Sequence, residues 1–265
     1  MPNKGCSNRQ AWSNLAECPS YCPNRYPFMP RILALDSATD ACSVALCDGS
    51  DRVSRFELAA RSHTQRLLPL VDEVLGEAGL GLSGLDAIAF GRGPGSFTGL
   101  RICLGMVQGL AFARDLPVIP VSTLDAMARG YYRTHPQALG QTALVTLDAR
   151  MHEVYCSLVR QDDAEAALIH LAPEAVMAPE QLARQPDVVK AQNQSLLGLG
   201  SGWHYSALQG LRTVQVDAKL HPRAEDMLSL ALPAFARGDC CAAEAATPVY
   251  LRETTNWKKR RFIRR

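Results

Sequence analysis

Apolar and polar positions along this chain repeat with two different periods, and the switches between them mark its elements. Residues 31–35 form a short apolar run that stops at Asp36, and Ser37-Ala38-Thr39-Asp40 turns the chain. Residues 41–47 read as a second strand, Asp48-Gly49 as a hairpin turn and residues 51–58 as a third strand. Ser62-His63-Thr64-Gln65 has the form of a capping box. The helix it opens, to about Ala78, carries an apolar stripe at Leu67, Leu68, Val71, Val74, Leu75 and Ala78. Pro69 lies inside it and predicts a kink. Leu70 projects off the stripe and is a candidate contact for something outside. An apolar strand at 85–90 then enters a long helical pattern at about 97–114. A strand at 118–121 and a helix capped by Ser122, running to about Tyr132, follow.

A three-strand meander followed by helix, strand, helix, strand and helix predicts a ribonuclease-H-like α/β domain with a mixed sheet. A second unit starts near Gln141. Residues 143–147 are apolar and end at Asp148, and residues 154–159 return as a strand. The spacing matches that of 36–46, which predicts an internal repeat. Residues 196–202 give a further strand into a glycine-rich turn, and 221–237 an amphipathic helix. Two such repeats side by side are the layout of the actin/Hsp70/sugar-kinase superfamily, where ATP binds between the halves. With 265 residues, 47% of them hydrophobic, the chain can bury cores of that size. The division predicted is a first domain at 30–138, with helix 221–237 packing back on it, and a second, smaller domain at 139–256.

Between the strand at 85–90 and the long helix lies Gly91-Arg92-Gly93-Pro94-Gly95-Ser96-Phe97-Thr98-Gly99-Leu100-Arg101. A glycine-rich turn into a helix N-terminus can cradle an anion. This one lacks the lysine of a P-loop and the spacing of a dinucleotide site, and Pro94 removes a donor. A tight turn that lets the strand and helix pack closely is the reading preferred. Inside the helix, Gly105, Gly109 and Ala113 follow i, i+4, i+8 spacing and form one smooth stripe. Each interior glycine costs about 1 kcal/mol relative to alanine, so something must approach the stripe closely. It is either the sheet of the same domain or a helix of another subunit.

Residues 1–28 are rich in Cys, Pro, Asn and Ser and lack the apolar segment of a secretory signal. They read as a disordered leader or an upstream misreading with Met29 as the natural start, or as a short lineage-specific tail. No apolar run has the length of a membrane span. The formal net charge of +2 hides an asymmetry: residues 257–265 hold six Lys or Arg, and without them acidic side chains outnumber basic ones. The tail is either solvated or a contact for RNA phosphates or for an acidic partner surface. Cys42, Cys47, Cys103 and Cys156 fall within apolar patterns as small core residues, which fits a reducing cytoplasm. Cys18 and Cys22 have no second pair for zinc, and Cys240-Cys241 has no assigned role.

In that superfamily each half offers an Asp hairpin with small residues that wrap phosphate. The first hairpin here, with Asp36 and Thr39, has Ala38 where a glycine is expected. The second, Asp148-Ala149-Arg150-Met151-His152-Glu153, has no glycine, although Arg150 could neutralise an anion. Gly200, in Gly198-Leu199-Gly200-Ser201-Gly202, resembles an adenosine-side turn. Strong ATP hydrolysis is not expected, only residual weak nucleotide binding. No two of the six His have helical ligand spacing, so no metal is expected, and His63 reads as a surface or capping residue.

Several segments together resemble the bacterial TsaB (YeaZ) family. They are Ile32 to Thr39, His63-Thr64-Gln65-Arg66, the glycine stretch, Asp148 to Tyr155, and Tyr250-Leu251-Arg252 with Trp257-Lys258-Lys259. One departure is Cys103, where the family often has a further glycine. The resemblance implies a non-catalytic, cytoplasmic paralogue of the TsaD-type catalytic subunit. Such proteins work with that subunit and a small TsaE-type ATPase to install threonylcarbamoyl on the adenosine beside the anticodon of tRNAs reading ANN codons. TsaD-type subunits carry a paired-His metal motif. Here His63 is followed four positions on by Leu67. The family dimerises, with itself or with the catalytic subunit, through two helices of the first domain. By resemblance the interface would include His63, Arg66, Leu70, Gly95, Thr98, Arg101, Gly105 and Gly109. The alternatives are an active ATP-dependent kinase or carbamoyl transferase, against which Arg150 and Met151 argue, and a metalloprotease, against which the unpaired His argue.

Overall fold

The computed structural model describes residues 30–252. The leader, Cys18 and Cys22, and the basic tail at 257–265 lie outside the described residues. The first half builds β1 (Ile32–Asp36), β2 (Ala41–Asp48), β3 (Asp51–Leu58), α1 (His63–Glu77), β4 (Ala87–Gly93), α2 (Phe97–Phe112), β5 (Val118–Ser122) and α3 (Thr123–Thr134). The second builds β6 (Thr142–Asp148), β7 (Val154–Arg160), β8 (Ile169–Met177), α4 (Pro179–Leu182), α5 (Pro186–Gln192), β9 (Leu196–Leu199), α6 (Ser206–Gln209), β10 (Gln215–Asp217) and α7 (Ala224–Arg237).

The strand orders β3-β2-β1-β4-β5 and β10-β9-β6-β7-β8 are the same topology read in opposite directions. In each sheet a three-strand antiparallel meander is joined by two parallel strands. The chain is therefore α/β with two ribonuclease-H-like halves, and the repeat between the Asp36 and Asp148 hairpins is real. β8, β10 and the short helices fall in stretches where the hydrophobic pattern predicts no element. β8 carries Pro173 and pairs with β7 through two register shifts, so its alternation is broken.

β1 and β4 are buried on both faces and therefore read as continuous apolar runs. On one face, Leu33, Leu35, Ile88 and Phe90 meet α1 and α2. On the other, Ile32, Ala34, Ala87 and Ala89 meet Met227, Leu228 and Phe235 of α7. Reciprocally, Leu124, Met127, Tyr131 and Tyr132 of α3 pack on the second sheet against Val145, Val159 and Leu197. Each half thus lends a helix to the other. Arg133 Nε on α3 donates to Asp226 Oδ1 on α7 at 2.6 Å, a tie between the two crossing helices. Cys42, Cys47, Cys103 and Cys156 are free thiols buried in these cores.

Three local expectations change. Leu70 is fully buried, whereas Leu68 is 44% exposed. The buried stripe runs 63, 67, 70, 71, 74, which is the i, i+3, i+4 helical spacing, and Leu68 lies at its flank. Ser62 does stand at the N-cap, but its Oγ donates to the Ala59 carbonyl at 3.1 Å and makes no cap bond. Its φ of −116° and ψ of 14° lie outside the extended conformation that aims a cap hydroxyl at the helix. β4 starts two residues later than the apolar run and continues to Gly93, because a 3-10 turn at Leu82–Gly84 absorbs the approach.

Candidate functional site

The two Asp hairpins face each other across a cleft of about 960 Å³. Its walls are the β1–β2 turn (Ala38, Thr39, Asp40), the first turn of α2, the β6–β7 hairpin, the turn at Ser201–His204 and the C-terminal segment at Tyr250 and Arg252. The glycine stretch shapes the first wall. A Cβ on Gly99 or Gly95 would fall within 3.0 Å of the Ser37 or Ala38 carbonyl oxygen. These glycines exist so that α2 can lie directly on the β1–β2 turn. Close packing is their role here, with the hairpin as the surface approached.

Asp36 does not reach the cleft. It is fully buried, its Oδ1 accepts from the Ala38 amide at 3.1 Å, and its Oδ2 has no hydrogen-bond partner among the described residues. A Cβ on Gly91 would collide with that oxygen. Burial pushes the carboxyl up to about 7. As a carboxylate for a nucleotide or its metal ion, Asp36 is misplaced. Thr39 lines the cleft, with Oγ1 accepting from Ala41 N at 3.3 Å.

In the second hairpin Arg150, Met151 and His152 all take left-handed backbone, φ 62°, 55° and 59°, a conformation costly for side chains larger than glycine. It is held by hydrogen bonds. Asp148 Oδ1 accepts from Arg150 N at 2.9 Å and from the Tyr205 hydroxyl at 3.0 Å, and Arg252 donates to the Ala149 carbonyl at 3.0 Å. The Arg150 side chain, 81% exposed, turns back to Asp148 at 3.1 Å. Gly200 does not offer its backbone to a ligand. It has φ 91°, and a Cβ there would meet the Thr146 carbonyl and Met127, so the residue serves packing between β6, α3 and the turn.

The eight residues expected on one partner face are divided among four places. Gly105 and Gly109 lie on the open side of α2, where an added Cβ would meet nothing within 4 Å. Exposed Phe112 (73%) lies on the same helix. The sheet of the same half is therefore not what approaches the stripe. Gly95, Thr98 and Arg101 belong to the rim of the cleft, and Arg101 lies over the Phe97 ring at 4.0 Å and donates to the Tyr250 hydroxyl. His63 and Leu70 are in the core. His63 Nδ1 stands 3.2 Å from Cys42 Sγ, because the first turn of α1 packs onto β2. It is neither a surface nor a capping residue. Arg66 makes a two-pronged ion pair with Glu57 of β3, at 2.6 and 2.8 Å, which lowers the pKa of the Glu57 carboxyl. Among the described residues no three His, Cys, Asp or Glu side chains converge as a metal set.

The contacts of two features escaped the sequence, although Arg92 and Tyr250-Leu251-Arg252 are among the residues that carry the family resemblance. Arg92 pairs with Glu174 of β8 at 3.1 Å, Ser122 donates to the same carboxylate, and His170 stands 3.5 Å from Asp125. Burial raises the Asp125 carboxyl to about 6, with His170 opposing. This polar seam joins the halves, and no local signal could reveal it because the broken alternation of β8 hides the strand itself. The segment 249–252 is the second. Val249 N donates to the Arg92 carbonyl at 2.8 Å, Tyr250 meets Phe97 and Arg101, and Arg252 Nε donates to Glu153 at 2.9 Å. The segment 249–252 thus straps one wall of the cleft to the other.

Residues 57–251 match the family described as "TsaD: tRNA N6-adenosine threonylcarbamoyltransferase". The chain is 44% identical over 241 residues to the Escherichia coli "tRNA threonylcarbamoyladenosine biosynthesis protein TsaB", covering 86% of this chain and 97% of that protein. The protein of the same name from Haemophilus influenzae is 41% identical over 235 residues, 86% of this chain and 96% of that one. The solved structure of YeaZ from Pseudomonas aeruginosa superposes with a TM-score of 0.76 at 46% identity, over 84% of this chain and 100% of that chain. With the duplicated fold, the glycine stretch seated on the first hairpin and relatives matched along nearly their whole length, this chain belongs to the TsaB (YeaZ) family.

Proposed function

We propose that this chain takes part in tRNA threonylcarbamoyladenosine biosynthesis as a non-catalytic, cytoplasmic scaffold subunit. It binds and activates a TsaD-type catalytic subunit, in concert with a TsaE-type ATPase, through the open face of α2. The coarser part, a role in that biosynthesis, follows the relatives' names. The finer part rests chiefly on one observation: Gly105 and Gly109 form a smooth helix stripe that the fold itself leaves uncovered. A stripe of that kind suits the close approach of a second helix. The same face would serve a homodimer, so self-association and pairing with the catalytic subunit compete. Buried Asp36 and the glycine-free second hairpin support an accessory rather than a hydrolytic role.

Mixing the purified chain with a TsaD-type subunit from the same organism, under size-exclusion chromatography with light scattering, tests this. A heterodimer replacing a homodimer is expected. If the two ignore each other with nucleotide and TsaE present, the scaffold reading is wrong. The alternative, an active ATP-dependent kinase or carbamoyl transferase, draws on the 960 Å³ cleft between the halves. Turnover of ATP by the isolated chain would support it.

A further inference from the structure

Within the glycine stretch, close packing accounts for the glycines but not for Arg92. Gly91 lies against Asp36 Oδ2, and a Cβ on Gly93 would meet Leu100 of α2 and the Val249 carbonyl at 3.0 and 3.2 Å. The backbone on either side of Arg92 is therefore closely confined. From this fixed position the side chain reaches across to the second half. Its guanidinium meets Glu174 of β8 at 3.1 Å, with the two side chains 26% and 11% exposed. Ser122, at the end of β5, donates to the same carboxylate, and His170 of β8 faces Asp125 of α3 at 3.5 Å. The Arg92 carbonyl accepts from Val249 N at 2.8 Å, so the residue also holds the strap whose Tyr250 packs on Phe97. One residue thus joins β4, β8, the strap and, through Gly93, the start of α2.

The halves meet at two kinds of junction. Where α3 and α7 cross, α7 is buried against the first sheet and α3 against the second, so this junction is largely apolar. At Arg92 the junction is polar. A buried ion pair contributes little net stability, because desolvation offsets the Coulombic gain, but it is satisfied in only one arrangement of its partners. We infer that Arg92 is a positioning residue: its pair with Glu174 sets the angle between the halves about the α3–α7 crossing, and through that angle the activation of the partner subunit. The inference rests on the scaffold reading and divides it into two steps. A partner helix seated at Gly105 and Gly109 grips the first half alone. The rim of the second half, with Arg150 81% and Met151 71% exposed, meets that partner only at the angle that Arg92 fixes. Pairing belongs to α2, and activation to the angle.

The test titrates the full chain against a fixed amount of the TsaD-type subunit, with the TsaE-type ATPase, ATP, tRNA and an activated threonylcarbamoyl donor, and follows transfer to the tRNA. The chain concentration at half-maximal rate reports pairing, and the plateau reports activation. Arg92→Gln and Glu174→Gln should each lower the plateau by about 10-fold and leave the half-maximal concentration unchanged, a coupling of ordinary size. The two substitutions together should cost no more than either alone, because they break one contact. Gly109→Leu should instead push the half-maximal concentration out of range. A variant that merely folds less well needs more chain to reach the same plateau, so instability does not imitate the expected result. Small-angle scattering of the isolated Arg92→Gln chain should show a wider spread of distances between the halves. A plateau untouched by Arg92→Gln, losses that multiply in the double variant, or a scattering profile identical to that of the unaltered chain overturns the inference. A flat titration with the unaltered chain removes the scaffold reading and this inference with it. An active unaltered chain with an unchanged Arg92→Gln plateau removes this inference alone.

Discussion

At the residue scale, two glycines six positions apart have opposite meanings. Gly99 lies under the β1–β2 turn, where an added Cβ would press on the Ser37 carbonyl, and Gly105 faces open space. Gly99→Ala should lose about 3 kcal/mol to overpacking. Gly105→Ala should gain up to about 1 kcal/mol from helix propensity. Urea denaturation of both variants checks this, and equal effects of the same sign would refute the assigned roles. Asp36 gives a pH signature. Its folded-state carboxyl holds a proton up to about pH 7, whereas the unfolded chain releases it near pH 4. Between those values the native state binds more protons, so stability falls as pH rises through that window. Asp125, raised to about 6, acts in the same sense. Asp36→Asn mimics the protonated form. It should leave the melting temperature nearly unchanged at pH 5 and raise it at pH 8. A loss at both pH values would mean that the ionised carboxylate is needed.

At the element scale, α2 carries three assignments along its length. Its first turn closes on the hairpin, its buried side, with Cys103, Val107 and Ala111, enters the core, and its outer side is left smooth. Gly109→Leu adds bulk where nothing stands within 4 Å, so the monomer should keep its melting temperature within about 1 kcal/mol of stability. Light scattering should then show pairing with the catalytic subunit abolished. Normal pairing would move the interface elsewhere. The helical period made α2 and its stripe legible in the sequence. It misjudged Leu70, because a stripe drawn through Leu68 rotates the helix by about one position. The resemblance grouped Arg101 with Gly105 and Gly109, and the structure sets Arg101 at the rim of the cleft.

At the scale of the whole molecule, the exchange of helices binds the halves into one unit. α7 covers the first sheet and α3 the second, and Asp226, only 2% exposed, is paired by Arg133 across them. Burial raises the Asp226 carboxyl and Arg133 opposes that shift. Calorimetry of the full chain should therefore give a single transition. Arg133→Met should lower that transition by removing a partner from a buried carboxylate, at a cost on the order of 2 kcal/mol, moderated because Arg133 is partly exposed. Two resolved transitions would show that the halves unfold separately.

The sequence by itself determined the strands and long helices of the first half, the Asp hairpins and their repetition, and the family. These are written in local periodicity and in contiguous residues. Only the tertiary structure decided that Asp36 is sealed beneath Gly91, that His63 lies against Cys42, and that Gly95, Thr98 and Arg101 face a cleft. The polar seam from Arg92 to Glu174 and the strap from Val249 to Arg252 were also decided there. Each of these depends on which distant segment arrives opposite a residue. Side-chain periodicity reports the face a residue occupies, not the segment that will cover it.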